Sequence, residues 1–572
     1  MQGPKDRKII SRYFSIIVMM AVVGISILLK ALYVMVFEHN YWQVVSSRYL
    51  VDSVAVEPRR GNILSDNGEL MASSVPQYTL FMDFMVSDRD EVRRIKAQNR
   101  RDSLLRVHET EICEGLHRIL PDKSVEEFRQ TFRKGRERKS RYCKIYPKRV
   151  SYAQYKEIKK LPVLSQRSSI GGFFTESNIR REKIYGSLAQ RTLGDVYAKV
   201  DSAKNGIELA YDEYLRGEPG LGHKKKVNNE HLTIVDVPAK DGMDVLTTLN
   251  VEIQDIAEKA LLDVLHKQNE VHGGDARTGV VIVMEVATGD VLAIVNLGSG
   301  EERGVSYTEQ VFNHALKTPI NPGSTMKLIS TMALVELAGY DTETRVDVEH
   351  CSPQNPKWVG ATRVRDSHDV VGAGNDSNIT LEYAFAHSSN LYFAKAIYEN
   401  FSSNPTRYTD FLRHLGLDSY VGLEAYGEES CRWTRADMPE WNINGSTSSR
   451  LPMMAYGYEI EIPPIHMATI YNGIANGGRM VAPRFVRSIK RDGQTIERMP
   501  VVTLVERMCS PRTLSVVEEC MAAASLYTQG IFANLPVEFG CKTGTAQVLN
   551  NFNSVGRIDR MLMNRGISFS GN

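Results

Sequence analysis

The sequence predicts a multidomain α+β protein behind a single N-terminal transmembrane helix. Three observations predict it. One uncharged apolar run lies near the start of the 572-residue chain. Near residue 241 the pattern changes from charged, loosely apolar segments to amphipathic-helix and β-hairpin signals. Within that last part, three short polar motifs follow one another: Ser324-Thr325-Met326-Lys327, Ser388-Ser389-Asn390 and Lys542-Thr543-Gly544-Thr545.

Residues Tyr13 to Leu29 carry no charge, and after Lys30 the run Ala31 to Phe37 continues. Crossing a bilayer takes ~20 mostly apolar residues, and Lys30 can extend toward one interface. Lys5, Arg7, Lys8 and Arg12 precede the run, which keeps the N-terminus cytoplasmic. The alternatives are a cleaved signal peptide or a buried helix. The stretch is long for the former, and no small-x-small cleavage site follows it. No second long apolar run occurs. The predicted organisation is a cytoplasmic tail at 1–12, a single-pass transmembrane helix at 13–37, and two extracytoplasmic domains at 38–240 and 241–572.

The 70 basic and 68 acidic residues nearly cancel, which gives no reason to expect a nucleic-acid partner. Seven scattered Cys without a CxxC exclude neither sulfur chemistry nor a compartment, but they do not form a disulfide or zinc framework. His350-Cys351 and the other His show no metal-ligand spacing. Two charged segments, 88–106 and 133–149, read as solvated faces rather than an anion site, because aromatics are sparse there.

In the second domain, Ile253, Ile256, Ala257, Ala260, Leu261, Val264 and Leu265 follow the spacing of a buried helical stripe. The runs Val280 to Val286 and Val291 to Val295 flank a Thr288-Gly289 turn and predict a hairpin. A helix apolar on several sides, hence buried, runs from near Ser324 to Gly339, its predicted C-cap.

Asn321-Pro322-Gly323 punctuates the chain before Ser324, which places Ser324 in that helix's first turn and Lys327 on the same face. A serine hydroxyl is a poor nucleophile near neutral pH. It needs a base beside it, and a lysine serves when burial lowers its pKa. Ser324 is the candidate nucleophile and Lys327 the candidate base. The helix N-terminus adds partial positive charge near the acyl oxygen. Ser-x-x-Lys alone is weak, since it arises readily by chance.

Ser-x-Asn occurs at Ser65–Asn67, Ser388–Asn390, Ser402–Asn404 and Ser570–Asn572. Ser388–Asn390 is favoured because it lies between two helix-like runs, where a short loop presents Ser388 for proton relay and Asn390 to a substrate amide. Any one such string is more often a turn or cap. Lys542-Thr543-Gly544 is rarer. Lys542 and Thr543 suit a substrate carboxylate through charge-assisted hydrogen bonds, and Gly544 allows close backbone approach. A phosphate-binding loop is excluded, because GxxxxGK[ST] is absent.

Taken together, the three motifs resemble those of class B penicillin-binding proteins. The resemblance extends along the chain. Pro58 to Gly68 with Leu70 to Ala72, Arg181 to Gly194, and Gly206 to Gly217 resemble the three motifs of the family's pedestal (dimerisation-type) domain. Thr247 to Asn250, with Gln254 and Glu258, resembles the segment leading into the transpeptidase domain. The resemblance implies a peptidoglycan D,D-transpeptidase without a cofactor. Ser324 would form an acyl-enzyme with a stem peptide, and Lys327 and Ser388 would move protons. The N–H groups of Ser324 and Thr545 would hold the oxyanion, and β-lactams would acylate Ser324. The chain is similar to the division-type (FtsI-like) subgroup, which implies septal synthesis at the bacterial inner membrane, beside a glycosyltransferase and other division proteins. An elongation-type enzyme, an inactive anchored scaffold, and a β-lactamase or sensor are the alternatives. Relatives continue beyond the equivalent of residue 572 with a further strand and a closing helix, so this sequence is expected to lack both.

Overall fold

The computed structural model describes residues 4–37, 53–86, 90–197, 202–227, 230–270, 278–298, 308–309, 312–443, 446–527, 539–548, 559–560 and 564–568. It divides into two compact bodies, residues 1–59 with 217–241 and residues 60–216 with 242–572. The chain passes between the bodies at 59/60, 216/217 and 241/242. The segment 217–241 returns to the first body because its strands pair there.

In the first body a helix spans Pro4–Phe37. Among the described residues no helix is long and apolar enough to cross a membrane. Strands Ser53–Val56, Gly220–Val227 and Glu230–Val237 form an antiparallel sheet with Gly220–Val227 in the middle. Arg59 donates both from its backbone and its guanidinium to Asp241.

The second body is built on an eight-stranded sheet. Its path runs Gln494–Arg498, Val486–Arg491, Asp244–Thr247, Ile63–Leu64, Leu70–Met82, Cys143–Lys144, with Val150–Ser151 and Phe173–Lys183 also on Leu70–Met82. Ile63–Leu64 and Asp244–Thr247 pair in parallel. One sheet thus joins strands from both sides of the predicted boundary.

Three sequence motifs meet beside this sheet. The buried Glu208 carboxylate accepts from Arg60 Nε at 2.7 Å and from Arg181 Nε at 2.6 Å. Asp212 takes the other side of Arg60 at 2.7 Å. Glu208 and Asp212 together balance the two buried guanidinium groups, which is what keeps such charges out of water at tolerable cost.

The charged segment at 88–106 forms the helix Glu91–Val107, capped by Asp90. It is mostly solvated, as expected, with one correction. Arg101 is buried and donates to the carbonyls of Asp83, Met85, Ser168, Ser169 and Ile170. Five donors in a fixed fork suit this tethering of loop carbonyls.

The helix Val251–Glu270 packs on the hairpin Thr278–Met284/Val291–Gly298, whose turn puts Gly289 at φ 72°. The predicted stripe is too wide. Ala257 and Leu265 are buried, and Ile253 and Leu261 partly buried, against the hairpin, but Ile256 is 66% and Val264 53% exposed. Gln254 fills the place of an apolar residue, exchanging hydrogen bonds with both the N–H and the C=O of Ile294. A polar side chain that pairs with backbone is as well buried as an apolar one.

The predicted core helix is present with a tighter start. Gly323–Met326 is a 3-10 turn, Lys327–Ala338 is α-helical, and Gly339 closes it at φ 73°. Every residue from Lys327 to Val335 is buried.

Candidate active site

Lys327 and Lys542 are both almost wholly buried, an environment that lysine avoids unless it is paired or neutral. Their surroundings define the site. Lys327 Nζ lies 3.0 Å from Ser324 Oγ, 3.0 Å from Ser388 Oγ, 2.6 Å from Ser388 O and 2.7 Å from Asn390 Oδ1. Lys542 Nζ donates to Ser388 Oγ at 3.1 Å and to Thr543 O at 2.8 Å. The three motifs, far apart in the chain, therefore share one pocket.

Local structure explains each placement. Ser324 sits in the 3-10 turn, and Lys327 begins the α-helix three residues on, so both groups point the same way. The turn is held by Tyr471 Oη, which donates to Thr325 O at 3.0 Å, and by Thr325 Oγ1, which donates to Pro322 O. Ser388 takes the left-handed backbone, φ 59°, between the helices Leu381–Ala386 and Asn390–Phe401. That conformation turns the chain sharply enough for both its carbonyl and its hydroxyl to face Lys327. Phe393 and Phe385 back the two lysines, with Lys327 Nζ 5.8 Å and Lys542 Nζ 5.6 Å from their ring centres, within cation–π range.

Lys542, Thr543 and Gly544 lie on the strand Gly540–Gly544, paired antiparallel with Asn564–Ser568. A Cβ on Gly544 would come 2.9 Å from Thr325 Cγ2, and one on Gly323 would come 2.6 Å from Thr545 O. The strand and the nucleophile turn approach closely because neither glycine carries a side chain. The partly exposed Thr543 and exposed Thr545 flank this contact.

Burial pushes the Lys327 ammonium well below its usual range, and the nearby Lys542 charge pushes it further, with Asp366 opposing. Burial also lowers Lys542, to about 8. The hydrogen bonds agree with a neutral Lys327. Ser388 O and Asn390 Oδ1 can only accept, so they take the two N–H groups of a neutral amine. The lone pair is left for a hydroxyl proton.

Sequence reasoning missed Asp366. It is buried and accepts from Ser389 Oγ at 2.8 Å, from Asn390 N–H, and from Leu391 N–H at 3.1 Å. Nothing local distinguishes it from Asp369 or Asp376, which lie on the surface. The other Ser-x-Asn strings are local structure. Ser65 Oγ donates to Asn67 Oδ1 in a turn, and Ser402–Asn404 separates two helices. Ser570–Asn572 lies outside the described residues. Among the described residues no group of His, Cys, Asp or Glu is arranged to hold a metal.

The family profile described as "Penicillin binding protein transpeptidase domain" matches residues 279–558, and that described as "Penicillin-binding Protein dimerisation domain" matches residues 55–247. The chain is similar to a "Probable peptidoglycan D,D-transpeptidase PenA" of Neisseria meningitidis, 22% identical over 561 residues, covering 94% of this chain and 82% of the relative. It is also similar to the penicillin-binding protein PbpB of Mycobacterium tuberculosis, 27% identical over 356 residues, 59% of this chain and 46% of that one. Among solved structures, penicillin binding protein 2X of Streptococcus thermophilus superposes with a TM-score of 0.64 at 18% identity, over 87% of this chain and 72% of the other.

Proposed function

We propose that this chain, which belongs to the class B penicillin-binding proteins with a dimerisation and a transpeptidase domain, is a serine D,D-transpeptidase that cross-links peptidoglycan stem peptides. The observation that carries this reading is the set of contacts around Lys327 Nζ, which puts a depressed amine against Ser324 Oγ, Ser388 and Asn390 at once.

Ser324 Oγ attacks the penultimate D-Ala carbonyl carbon while its proton passes to the Lys327 lone pair. The oxyanion is stabilised by the backbone N–H groups of Ser324 and Thr545, where one such donor is worth ~3 kcal/mol. The C–N bond to the terminal D-Ala then breaks. Its amine takes a proton relayed through Ser388 Oγ, which both lysines contact. An acceptor amine from a second stem reverses these steps and receives the acyl group. Lys542 and Thr543 bind the terminal carboxylate, and Asn390 orients the substrate amide. A β-lactam enters the same course and stays on Ser324, because its leaving amine remains tethered.

The proposal extends to an inner-membrane, single-pass location with the bulk of the chain outside the cytoplasm. Support comes from the sequence, where the uncharged run Tyr13 to Leu29 follows Lys5, Arg7, Lys8 and Arg12. Ser26 Oγ donates to Val22 O within it, so that hydroxyl needs no water. A septal role beside a separate glycosyltransferase and other division proteins is part of the same reading. It rests on the resemblance of the linear pedestal, which shows no obvious glycosyltransferase domain, to that of division-type enzymes.

The test is acylation by a fluorescent penicillin. The full chain takes up one equivalent that survives denaturation, and Ser324→Ala abolishes it. Labelling that persists in Ser324→Ala, or none in the unaltered chain, rejects the reading.

A further inference from the structure

The strained Ser388 backbone must be held by something, and the holding group is in the structure. Ser388 has φ 59°, a conformation that L side chains avoid. The three residues after it are fastened by one carboxylate. Asp366 Oδ2 accepts from Ser389 Oγ at 2.8 Å, and Oδ1 accepts from the N–H groups of Asn390 and Leu391, the latter at 3.1 Å. Those N–H groups open the Asn390–Phe401 helix, where a negative charge is favoured. The neighbouring Arg365 carbonyl accepts from Asn390 Nδ2 at 2.7 Å. That bond decides which way the amide faces, and so leaves Asn390 Oδ1 toward Lys327 Nζ at 2.7 Å.

We propose that Asp366 is a positioning residue of the acyl-transfer site: its buried carboxylate fixes the Ser388-Ser389-Asn390 turn so that Ser388 and Asn390 meet Lys327, and its negative charge stabilises the lysinium formed when Ser324 gives up its proton. This rests on the reading of Ser324 as nucleophile and Lys327 as base. No step of that mechanism uses Asp366.

Charge supports the same role. Burial pushes the Asp366 carboxyl up from its usual range, opposed by Lys327 and by its hydrogen bonds to Ser389, Leu391 and Asn390, and Asp366 in turn favours the protonated amine of Lys327. Among the described residues, the other titratable groups facing Asp366 are Cys351 and Tyr456, both pushed up by burial and neutral near pH 7. Lys542 faces Lys327 from the opposite strand. The pocket thus holds two lysines, with Asp366 as the anion next to one of them.

Two variants of the full chain separate position from charge. Asp366→Asn keeps an oxygen for the two N–H groups and an NH2 for Ser389 Oγ, but removes the charge. Its acylation rate constant for a fluorescent penicillin is expected to fall, with the ascending limb of the pH profile moved about one unit to lower pH and cooperative melting retained. Asp366→Ala releases the turn, and acylation is expected to fall about 100-fold. An Asp366→Asn protein with the wild-type rate and an unmoved limb overturns the charge role. A folded Asp366→Ala protein with the wild-type rate overturns the positioning role. Loss of Ser324-dependent labelling from the unaltered chain is a different failure, and rejects the site itself.

Discussion

Lys542 Nζ donates to Ser388 Oγ at 3.1 Å, so the third motif's cation rests on the second motif's hydroxyl. Lys327 reaches the same oxygen. Two buried amines on one hydroxyl cannot both carry a proton without mutual repulsion. The pocket therefore distinguishes them: Lys327 is driven toward the neutral form and Lys542 stays the charged one, which suits a base and an anion site respectively.

Acylation is expected to follow a bell-shaped pH profile. The rate rises as Lys327 loses its proton, at a pH well below 10.5, and falls as Lys542 loses its charge near 8. Stability has its own sign. Between the lowered Lys327 value and 10.5 the unfolded chain binds a proton that the folded chain has released, so folding gains stability as pH rises through that window. Stopped-flow acylation and thermal melting across pH check the two effects separately. A flat acylation profile between pH 6 and 10 removes the lysine assignments.

Lys327→Met keeps a similar chain length in a fully buried position but removes the amine. Acylation is expected to drop about 10²–10⁴-fold, the usual worth of a general base, with a cooperative melt preserved. Ser388→Ala retains the Ser388 carbonyl contact to Lys327 and loses the hydroxyl that both lysines reach, so its deficit is expected to be smaller than that of Lys327→Met. Rate constants for the two variants, measured side by side, decide this.

Gly457 stands at φ 92°, and a Cβ there would come 2.1 Å from Gly323 O. Its own carbonyl accepts from Gly323 N–H at 3.2 Å. Gly457→Ala is expected to cost about 1–3 kcal/mol in backbone strain and to displace the turn that carries Ser324. Both the melting temperature and the acylation rate should fall, although Gly457 touches neither lysine. A variant that melts and acylates like the parent contradicts this packing.

Glu208→Gln tests the ion network on the other side of the same body. It removes the charge shared by Arg60 and Arg181, and breaking a buried pair typically costs about 3–5 kcal/mol. The melting temperature is expected to drop strongly. Because Glu208 makes no contact in the pocket, the acylation rate well below the melt should be nearly unchanged.

The parts legible in the sequence are those whose signal is local. Gly339 ends the nucleophile helix where predicted, Gly289 turns the hairpin, and the apolar sides of Lys327–Ala338 mark it as buried. Each depends on residues within a turn or two of itself. The predicted stripe on Val251–Glu270 is wider than the buried one, because periodicity says which residues share a face but not how far a neighbouring strand covers it. Ile256 and Val264 stay in solvent for that reason.

The candidate side chains are legible in the chain alone, since a serine, an amine and a cationic strand are recognisable as residue types at short spacing. What those groups become is set by packing between distant segments. Asp366, Phe385 and Phe393 surround the lysines through contacts that span long stretches of chain, and burial is what sets an amine's proton affinity. Desolvation has no spacing and leaves no string to read. It exists only once the helices have closed around Lys327 and Lys542.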